Sequence, residues 1–183
     1  MSRAWFPKRY ADLAARSRVP AGFAVAIACL WLAQPTWNSL LTGLPFMLGG
    51  LVLRAWAAGH LAKNQRLVTS GPYAWVRNPL YAGTALVAAG LAIASRRWLA
   101  AALLSAFFVL VYLPVVEQEE QHLRKLFPEY EEYARSTPRF LPRRSKLSGL
   151  EHFSWELYWR NREYQAALGW LAGLLVLLAK IRA

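Results

Sequence analysis

Five apolar stretches divide this chain of 183 residues and leave little choice of architecture. They cover residues 19–33, 40–61, 80–95, 98–116 and 166–181. A helix needs about 20 mostly apolar residues, with a range of about 17–25, to cross a bilayer, so the second and fourth stretches qualify directly. The other three are shorter and can span if flanking interfacial residues lengthen them. The sequence therefore predicts an all-α, multi-pass transmembrane helical bundle of about five spans.

Composition supports a membrane protein over a soluble one. Only 17% of the residues are charged, against roughly 25% in soluble domains, and nine are Trp, which favours membrane interfaces. The net charge of +12 could indicate nucleic acid, but the basic residues lie between apolar stretches and not in one stripe. Anionic lipid headgroups are therefore the predicted partner, with no nucleic acid. Cys29 is single and the three His residues lack ligand spacing, so we predict neither disulfides nor a metal site.

The distribution of Lys and Arg predicts the orientation. With a retained first helix and a cytoplasmic N-terminus, the inside segments are residues 1–18, 62–79 and 117–165, and they hold 17 of the 22 basic residues. We therefore expect a cell-membrane protein whose N-terminus and polar motifs share the cytoplasmic side.

The polar segments suggest how the rest is organised. Residues 117–135 have apolar side chains at three- and four-residue steps, which predicts a cytoplasmic-side amphipathic helix that Pro128 kinks or divides. Residues 143–165 are predicted to be an interfacial segment, followed by a final transmembrane helix over 166–182. The whole chain, residues 1–183, is then a single integral membrane domain.

A first polar motif, TSGPYAWVRNPLYAG, occupies residues 69–83 between two apolar stretches. Its Gly-Pro pair indicates a turn, and Pro79 suits the first position of a helix, with Asn78 as a natural N-cap. The free N–H groups of such a helix start could also bind an anionic group of a ligand. Spacing alone leaves both interpretations open.

Acidic and basic side chains near the spans add further candidates. Glu117, Glu119 and Glu120 form either a solvated helix face or, because like charges beside an apolar span repel, a site for a cationic ligand. Arg54 lies within a predicted span, which makes it a candidate substrate contact, although its side chain could also reach the interface.

Three strings together resemble a known family. They are LVTSGPYAWVRNPLYAG at 67–83, EEQHLRKLFPEYEEY at 119–133 and PRFLP at 138–142. They are similar to the integral membrane methyltransferases that include isoprenylcysteine carboxyl methyltransferase and phosphatidylethanolamine N-methyltransferase. The resemblance covers residues 50–142, which it marks as a methyltransferase-like catalytic region.

The resemblance implies that S-adenosyl-L-methionine is bound on the cytoplasmic side. The acceptor it implies is lipid-like, either a phospholipid amine or an isoprenylcysteine-type carboxylate, which enters sideways between helices. The cofactor contacts that it implies are His60, Gln65, Arg66, Leu67, Val68, Tyr73, Asn78, Pro79, Leu80, Tyr81, Glu119 and Glu120.

The chain departs from the carboxyl methyltransferases at three places. It has Asn78-Pro79 where they have His-Pro, and Phe127-Pro128 where they have Phe-Gly. Val115 stands where they place a substrate-facing Arg, which weakens the assignment of a prenylcysteine acceptor. Two alternatives are an NADPH-dependent enzyme resembling the sterol reductases and a non-catalytic lipid-binding membrane module.

Overall fold

The structure, a computed structural model, describes residues 5–142 and 152–182, and within them it contains helices and no strand. A wide π-helical turn, Phe108–Tyr112, joins the helices Trp98–Phe107 and Leu113–Leu126 into one continuous helix from Trp98 to Leu126. The described residues form eight α-helices: α1 (Lys8–Leu32), α2 (Trp37–Ala58), α3 (Pro79–Ser95), α4 (Trp98–Phe107), α5 (Leu113–Leu126), α6 (Tyr130–Ser136), α7 (Trp155–Arg160) and α8 (Tyr164–Arg182).

Four of these helices are long and apolar enough to cross a membrane: Lys8–Leu32, Trp37–Ala58, Trp98–Leu126 and Tyr164–Arg182. The apolar α3 has 17 residues and, at about 1.5 Å per residue, extends over roughly 25 Å. The prediction of an all-α bundle with about five spans is therefore confirmed. The first helix begins much earlier than its apolar stretch, because long basic side chains near its start can extend toward the interface.

The outer surface of the bundle suits a lipid environment. Large apolar side chains such as Phe23 and Ile27 on α1 are about two-thirds exposed. Exposed tryptophans form two belts at opposite ends of the bundle, as expected of side chains that prefer the membrane–water interface. One belt contains Trp31, Trp37 and Trp98, and the other contains Trp5, Trp155 and Trp159.

Helices α2 and α3 make the most extensive contact in the molecule, and glycines allow it. Gly43 of α2 faces Gly90 of α3, and Gly50 of α2 faces Gly83 of α3, so the antiparallel backbones touch at two levels seven residues apart. A Cβ atom at Gly50 would lie 2.5 Å from the Gly83 carbonyl oxygen. Small residues are the usual means by which membrane helices approach closely.

The C-terminal helix α8 completes the bundle. Leu177 of α8 joins a buried cluster with Ala33, Leu40, Met47 and Ala94 from the other helices. Near its end, the Lys180 ammonium donates hydrogen bonds to the carbonyl oxygens of the last turn of α1, at 2.8 Å and 2.6 Å. A cation at a helix C-terminus satisfies carbonyls that have no partner within the helix.

The second polar segment is divided as the sequence predicts. Helix α5 ends at Leu126, before Pro128, and α6 begins at Tyr130. The charged turns of α5 are, however, a direct continuation of the fourth span and not a separate amphipathic helix. Of the predicted interfacial segment, residues 143–151 lie outside the described part of the chain; residues 155–160 form the short helix α7.

Candidate functional site

Both polar motifs lie at the same end of the bundle. The connection between α2 and α3, the helices α5 and α6, and the segment before α8 meet there, because α2 ends, α3 begins and the long fourth span ends at this level. The Arg77 N–H donates a hydrogen bond of 2.8 Å to the Pro138 carbonyl oxygen, which joins the first motif to the PRFLP segment.

The Gly-Pro turn of the first motif is shaped by His60. Gly71 adopts a φ of +57°, a left-handed conformation that favours glycine, and a Cβ atom there would lie 2.7 Å from the His60 ring. His60 itself is buried, and its Nδ1 lies 2.9 Å from the Trp56 carbonyl oxygen. The structure thus places this predicted cofactor contact under the turn, where its ring also packs edge-on against Phe153.

Asn78 occupies the N-cap position of α3, and Pro79 is the first helical residue, as predicted. The prediction that the Asn78 side chain caps the helix is wrong. Its amide instead donates to Glu120 Oε1 at 2.9 Å and to the Arg139 carbonyl oxygen at 3.4 Å. The charge-assisted bond from the amide nitrogen to the buried carboxylate orients the side chain, and its oxygen accepts no hydrogen bond from the first turn of α3.

Glu120 is the central ion of this end of the bundle. Only 1% of its side chain is exposed, and Arg139 forms a bidentate pair with it through Nε at 3.1 Å and Nη2 at 2.7 Å. Arg77 Nη1 lies 3.6 Å from the same carboxylate. Burial by itself would lower the pKa of Arg139, but its hydrogen bonds and charge interaction with Glu120 outweigh this and raise the pKa. Glu120 therefore connects α5 to the loop before α3, which carries Arg77 and Asn78, and to the segment after α6, which carries Arg139.

Glu119, the preceding residue, faces a different environment. Successive helical residues point about 100° apart, so the two carboxylates diverge. The Glu119 side chain is 45% exposed, and its Oε1 accepts hydrogen bonds from the Tyr81 hydroxyl at 2.9 Å and from Arg18 Nη1 at 3.3 Å. No hydrogen bond to Oε2 is made within the described residues, so this oxygen is available to a ligand.

A cavity of about 910 Å³ opens beside Glu119. Its volume lies within the range of about 300–1,000 Å³ that is usual for small-molecule sites. One part is polar and includes Arg18, Tyr73, Tyr81 and Glu119. The other part is apolar and lies between helices, with lining residues that include Phe23, Ile27, Leu30, Val87, Leu91, Phe107 and Val176.

Arg54 and Glu163 form a second ion pair on the cavity wall. Arg54 Nε and Nη2 donate to the two carboxylate oxygens of Glu163 at 2.6 Å and 3.0 Å. Arg54 Nη1 donates to the Thr84 hydroxyl at 2.5 Å and to the Leu80 carbonyl oxygen at 3.3 Å. Arg54 is thus held inside the bundle and does not extend to the interface.

Tyr73 lies within range of the charges of Glu119 and of the Arg54–Glu163 pair. Its side chain is 7% exposed and lines the cavity, and its carbonyl oxygen accepts a hydrogen bond of 2.7 Å from the buried Tyr133 hydroxyl. Burial raises the pKa of the Tyr73 phenol, and the charges of Glu119 and Glu163 add to that rise. The Tyr73 hydroxyl makes no hydrogen bond within the residues that the structure describes.

The structure brings most of the predicted site residues to one cavity. Among the described residues, those that line it are Arg54, Arg66, Leu67, Val68, Tyr73, Leu80, Tyr81 and Glu119. Those that lie outside its lining and support the neighbouring loops are His60, Gln65, Asn78, Pro79 and Glu120. Gln65 is exposed, and its side-chain oxygen accepts a hydrogen bond of 3.4 Å from Arg160.

Sequence reasoning missed several lining residues, and two of them, Arg18 and Glu163, belong to ion pairs on the cavity wall. Each is a charged residue near the end of an apolar stretch, which was the available signal, but its partner lies more than 100 positions away. Val115 stands where the carboxyl methyltransferases have an Arg, and Arg18 supplies a positive charge close to that position. Val115 belongs to the same buried cluster as Ala14, which lies one turn before Arg18 on α1. The Arg18 guanidinium of α1 therefore contacts the carboxylate of Glu119, which lies one turn after Val115 on α5.

No group of three or more His, Cys, Asp or Glu side chains is arranged to hold a metal ion within residues 5–142 and 152–182.

Comparison with known proteins identifies relatives. The model of the phospholipid methyltransferase family matches residues 39–130. The cobalt-zinc-cadmium resistance protein CzcN of Cupriavidus metallidurans is 37% identical over 149 residues, which are 78% of this chain and 68% of that protein. The nickel-cobalt-cadmium resistance protein NccN of Alcaligenes xylosoxydans xylosoxydans is 38% identical over 115 residues, 60% of this chain and just over half (54%) of that protein. No solved structure matches the chain significantly.

Proposed function

Because this chain belongs to the phospholipid methyltransferase family, we propose that it is an integral membrane methyltransferase that uses S-adenosyl-L-methionine and acts on a lipid-like acceptor. The proposal rests on one observation: Glu119 and Tyr81 line the same cavity as the apolar residues between the spans. A charged cofactor and an apolar chain can occupy the two parts of such a cavity together.

The residues of the polar part fit the cofactor. Glu119 is the exposed acid of the pair, and a carboxylate suits the ammonium group or the sugar hydroxyls of S-adenosyl-L-methionine. The rings of Tyr73 and Tyr81 also line this part, and aromatic faces attract cations. Leu67 and Val68 supply an apolar wall. When bound, the cofactor supplies a methyl group made electrophilic by its sulfonium.

The protein's own contribution is mostly placement. Glu120, Arg139 and Asn78 lock the two motifs together, so that Glu119 and Tyr81 are held in fixed positions. Holding two reactants in the right geometry can supply much of a rate enhancement. The apolar tract can exclude water from the acceptor, which removes hydration from a nucleophile.

We also propose that the site end of the bundle faces the cytoplasm in the cell membrane. Support comes from the distribution of basic residues, most of which belong to segments at this end. Anionic lipid headgroups would then contact the basic side chains around the mouth of the cavity, among them Lys63 and Arg66.

The test is binding of S-adenosyl-L-methionine by the purified chain in detergent. We expect wild-type binding, and we expect Glu119→Gln to weaken it by about 10- to 100-fold, because a hydrogen bond to a charged group contributes about 1.5–3 kcal/mol. Glu132→Gln is the matched control, since Glu132 is exposed on α6 and outside the cavity lining. Isothermal titration calorimetry measures all three dissociation constants.

Three results would contradict the proposal. Unchanged affinity in Glu119→Gln would remove Glu119 from the cofactor site. Saturable binding of NADPH in place of S-adenosyl-L-methionine would favour the reductase alternative, and binding of lipid without either cofactor would favour the non-catalytic module.

A further inference from the structure

The Arg54–Glu163 pair has no role in the proposed function as described so far. Glu163 immediately precedes α8 and falls beyond the residues that the family model matches, 39–130. The pair nevertheless lines the same cavity as Glu119. Its segment is fixed to the end of α2, because the Asn161 amide donates to the Ala58 and Leu61 carbonyl oxygens, both at 2.9 Å.

The order of lining residues along α3 gives the depth of each part of the cavity. Tyr81, which contacts Glu119, comes first; Thr84, which contacts Arg54, lies three residues or about 4.5 Å deeper. Val87 and Leu91, in the apolar tract, follow at further steps of about 4.5 and 6 Å. The ion pair is therefore placed between the polar cofactor end and the apolar tract.

Arg54 uses most of its hydrogen-bond donors, whereas Glu163 retains acceptor capacity. Four of the five N–H groups of Arg54 are engaged by Glu163, Thr84 and Leu80. Each carboxylate oxygen of Glu163 accepts one of these bonds and can accept another. The Tyr73 side chain lines the cavity within range of the charges of both members of the pair. Its hydroxyl can donate or accept a hydrogen bond with a ligand atom there.

We propose that Glu163, held by Arg54 and assisted by the Tyr73 hydroxyl, is the docking point for the acceptor's head group. Because Glu163 has spare acceptor capacity and Arg54 has little donor capacity left, the site selects a head that can donate a hydrogen bond: a hydroxyl, an amine or a thiol. A carboxylate head would meet the Glu163 charge, and Arg54, with one N–H group left, offers it little compensation. The inference rests on the proposed function, since it concerns the acceptor of that same cavity.

The test compares probes that share one apolar chain and differ only in the head. Oleyl alcohol donates a hydrogen bond, oleyl methyl ether does not, and oleate is anionic. Each is added to the full chain in dodecylmaltoside micelles, and the mole fraction that gives half of the maximal rise in melting temperature reports its affinity. In the wild type we expect the alcohol to bind about tenfold more tightly than the ether or oleate, as for one hydrogen bond to a charged group.

Three variants assign that preference to the site. Arg54→Met combined with Glu163→Leu removes both charges together, which avoids leaving one buried and unpaired, and should reduce the preference to within about twofold. Tyr73→Phe removes one oxygen and should reduce the preference about threefold. Glu156→Gln, an exposed acid in the same segment and outside the cavity lining, should keep it.

Equal affinity for the three probes in the wild type, or no saturable effect of the alcohol, would overturn the inference. An undiminished preference in the double variant would do the same, and if that variant does not fold, the decision passes to Tyr73→Phe. The cofactor dissociation constant, measured on the same samples, separates the two proposals. Loss of head-group preference with intact cofactor binding contradicts only the inference, whereas absent cofactor binding with an intact preference contradicts only the methyltransferase.

Discussion

Replacing Glu120 by Gln is expected to lower the free energy of unfolding by about 3–5 kcal/mol, because removing one member of a buried ion pair leaves the other charge uncompensated. The Glu120 carboxylate is shared by Arg139, Arg77 and Asn78. The substitution would remove the carboxylate that two guanidinium groups share at the junction of α5 with both loops. Thermal or urea unfolding in detergent, followed by circular dichroism, measures the change.

Glu119→Gln is the matched control for this stability prediction, since it makes the same chemical change one residue earlier. The Glu119 side chain is nearly half exposed, and exposed ion pairs contribute only about 0–1 kcal/mol. We therefore expect the neighbouring variants to separate the two roles: Glu120→Gln loses stability, whereas Glu119→Gln keeps stability and loses cofactor affinity. Equal stability of the two variants would contradict the structural role given to Glu120.

Gly50→Ala is expected to destabilise the bundle by about 2–3 kcal/mol, the upper part of the range for overpacking. The added Cβ would lie 2.5 Å from the Gly83 carbonyl oxygen and 2.9 Å from the Val87 nitrogen. Both are backbone atoms of α3, which cannot move aside as a flexible side chain could. The helices α2 and α3 would have to separate along the most extensive contact in the molecule.

The adjacent Gly49 provides the control for the glycine contact. A Cβ atom at Gly49 has no other atom within 4 Å among the described residues. Since Ala is favoured over Gly inside a helix by about 0.8–1.0 kcal/mol, Gly49→Ala should leave stability unchanged or raise it. Gly50→Ala is thus expected to lower the melting temperature and Gly49→Ala is not, and a drop of similar size in both would contradict the stabilising role given to the glycine contact.

The sequence alone could predict the helices because each span is a long apolar run, and a helix in lipid must satisfy its own backbone hydrogen bonds. The break at Pro128 and the helix start at Pro79 follow from the missing N–H of proline in the same local way. The first helix begins at Lys8 and not near residue 19. Its N-terminal turns carry basic side chains that can extend to solvent, so the helix continues beyond the apolar stretch.

The assignment of side chains within the site could not be predicted from the sequence. Glu119 and Glu120 are chemically identical neighbours, and only the positions of Arg18 and Arg139 show which faces the cavity and which is buried. Asn78 illustrates the same limit, because its local preference for capping gives way to an acid that is 42 positions distant. Such pairings depend on tertiary packing and leave no periodic pattern in the chain.

The wide turn at Phe108–Tyr112 has a consequence for the acidic end of the same helix. A π-type turn accommodates one residue beyond the regular helical repeat, and each residue rotates the following side chains by about 100°. The extra residue therefore offsets the half of the span that carries Glu119 and Glu120 by about 100° from the direction that a regular helix would give it. The direction in which Glu119 and Glu120 point, one toward Tyr81 and the other toward Arg139, thus depends on a single extra residue some seven positions or more before them in the same helix.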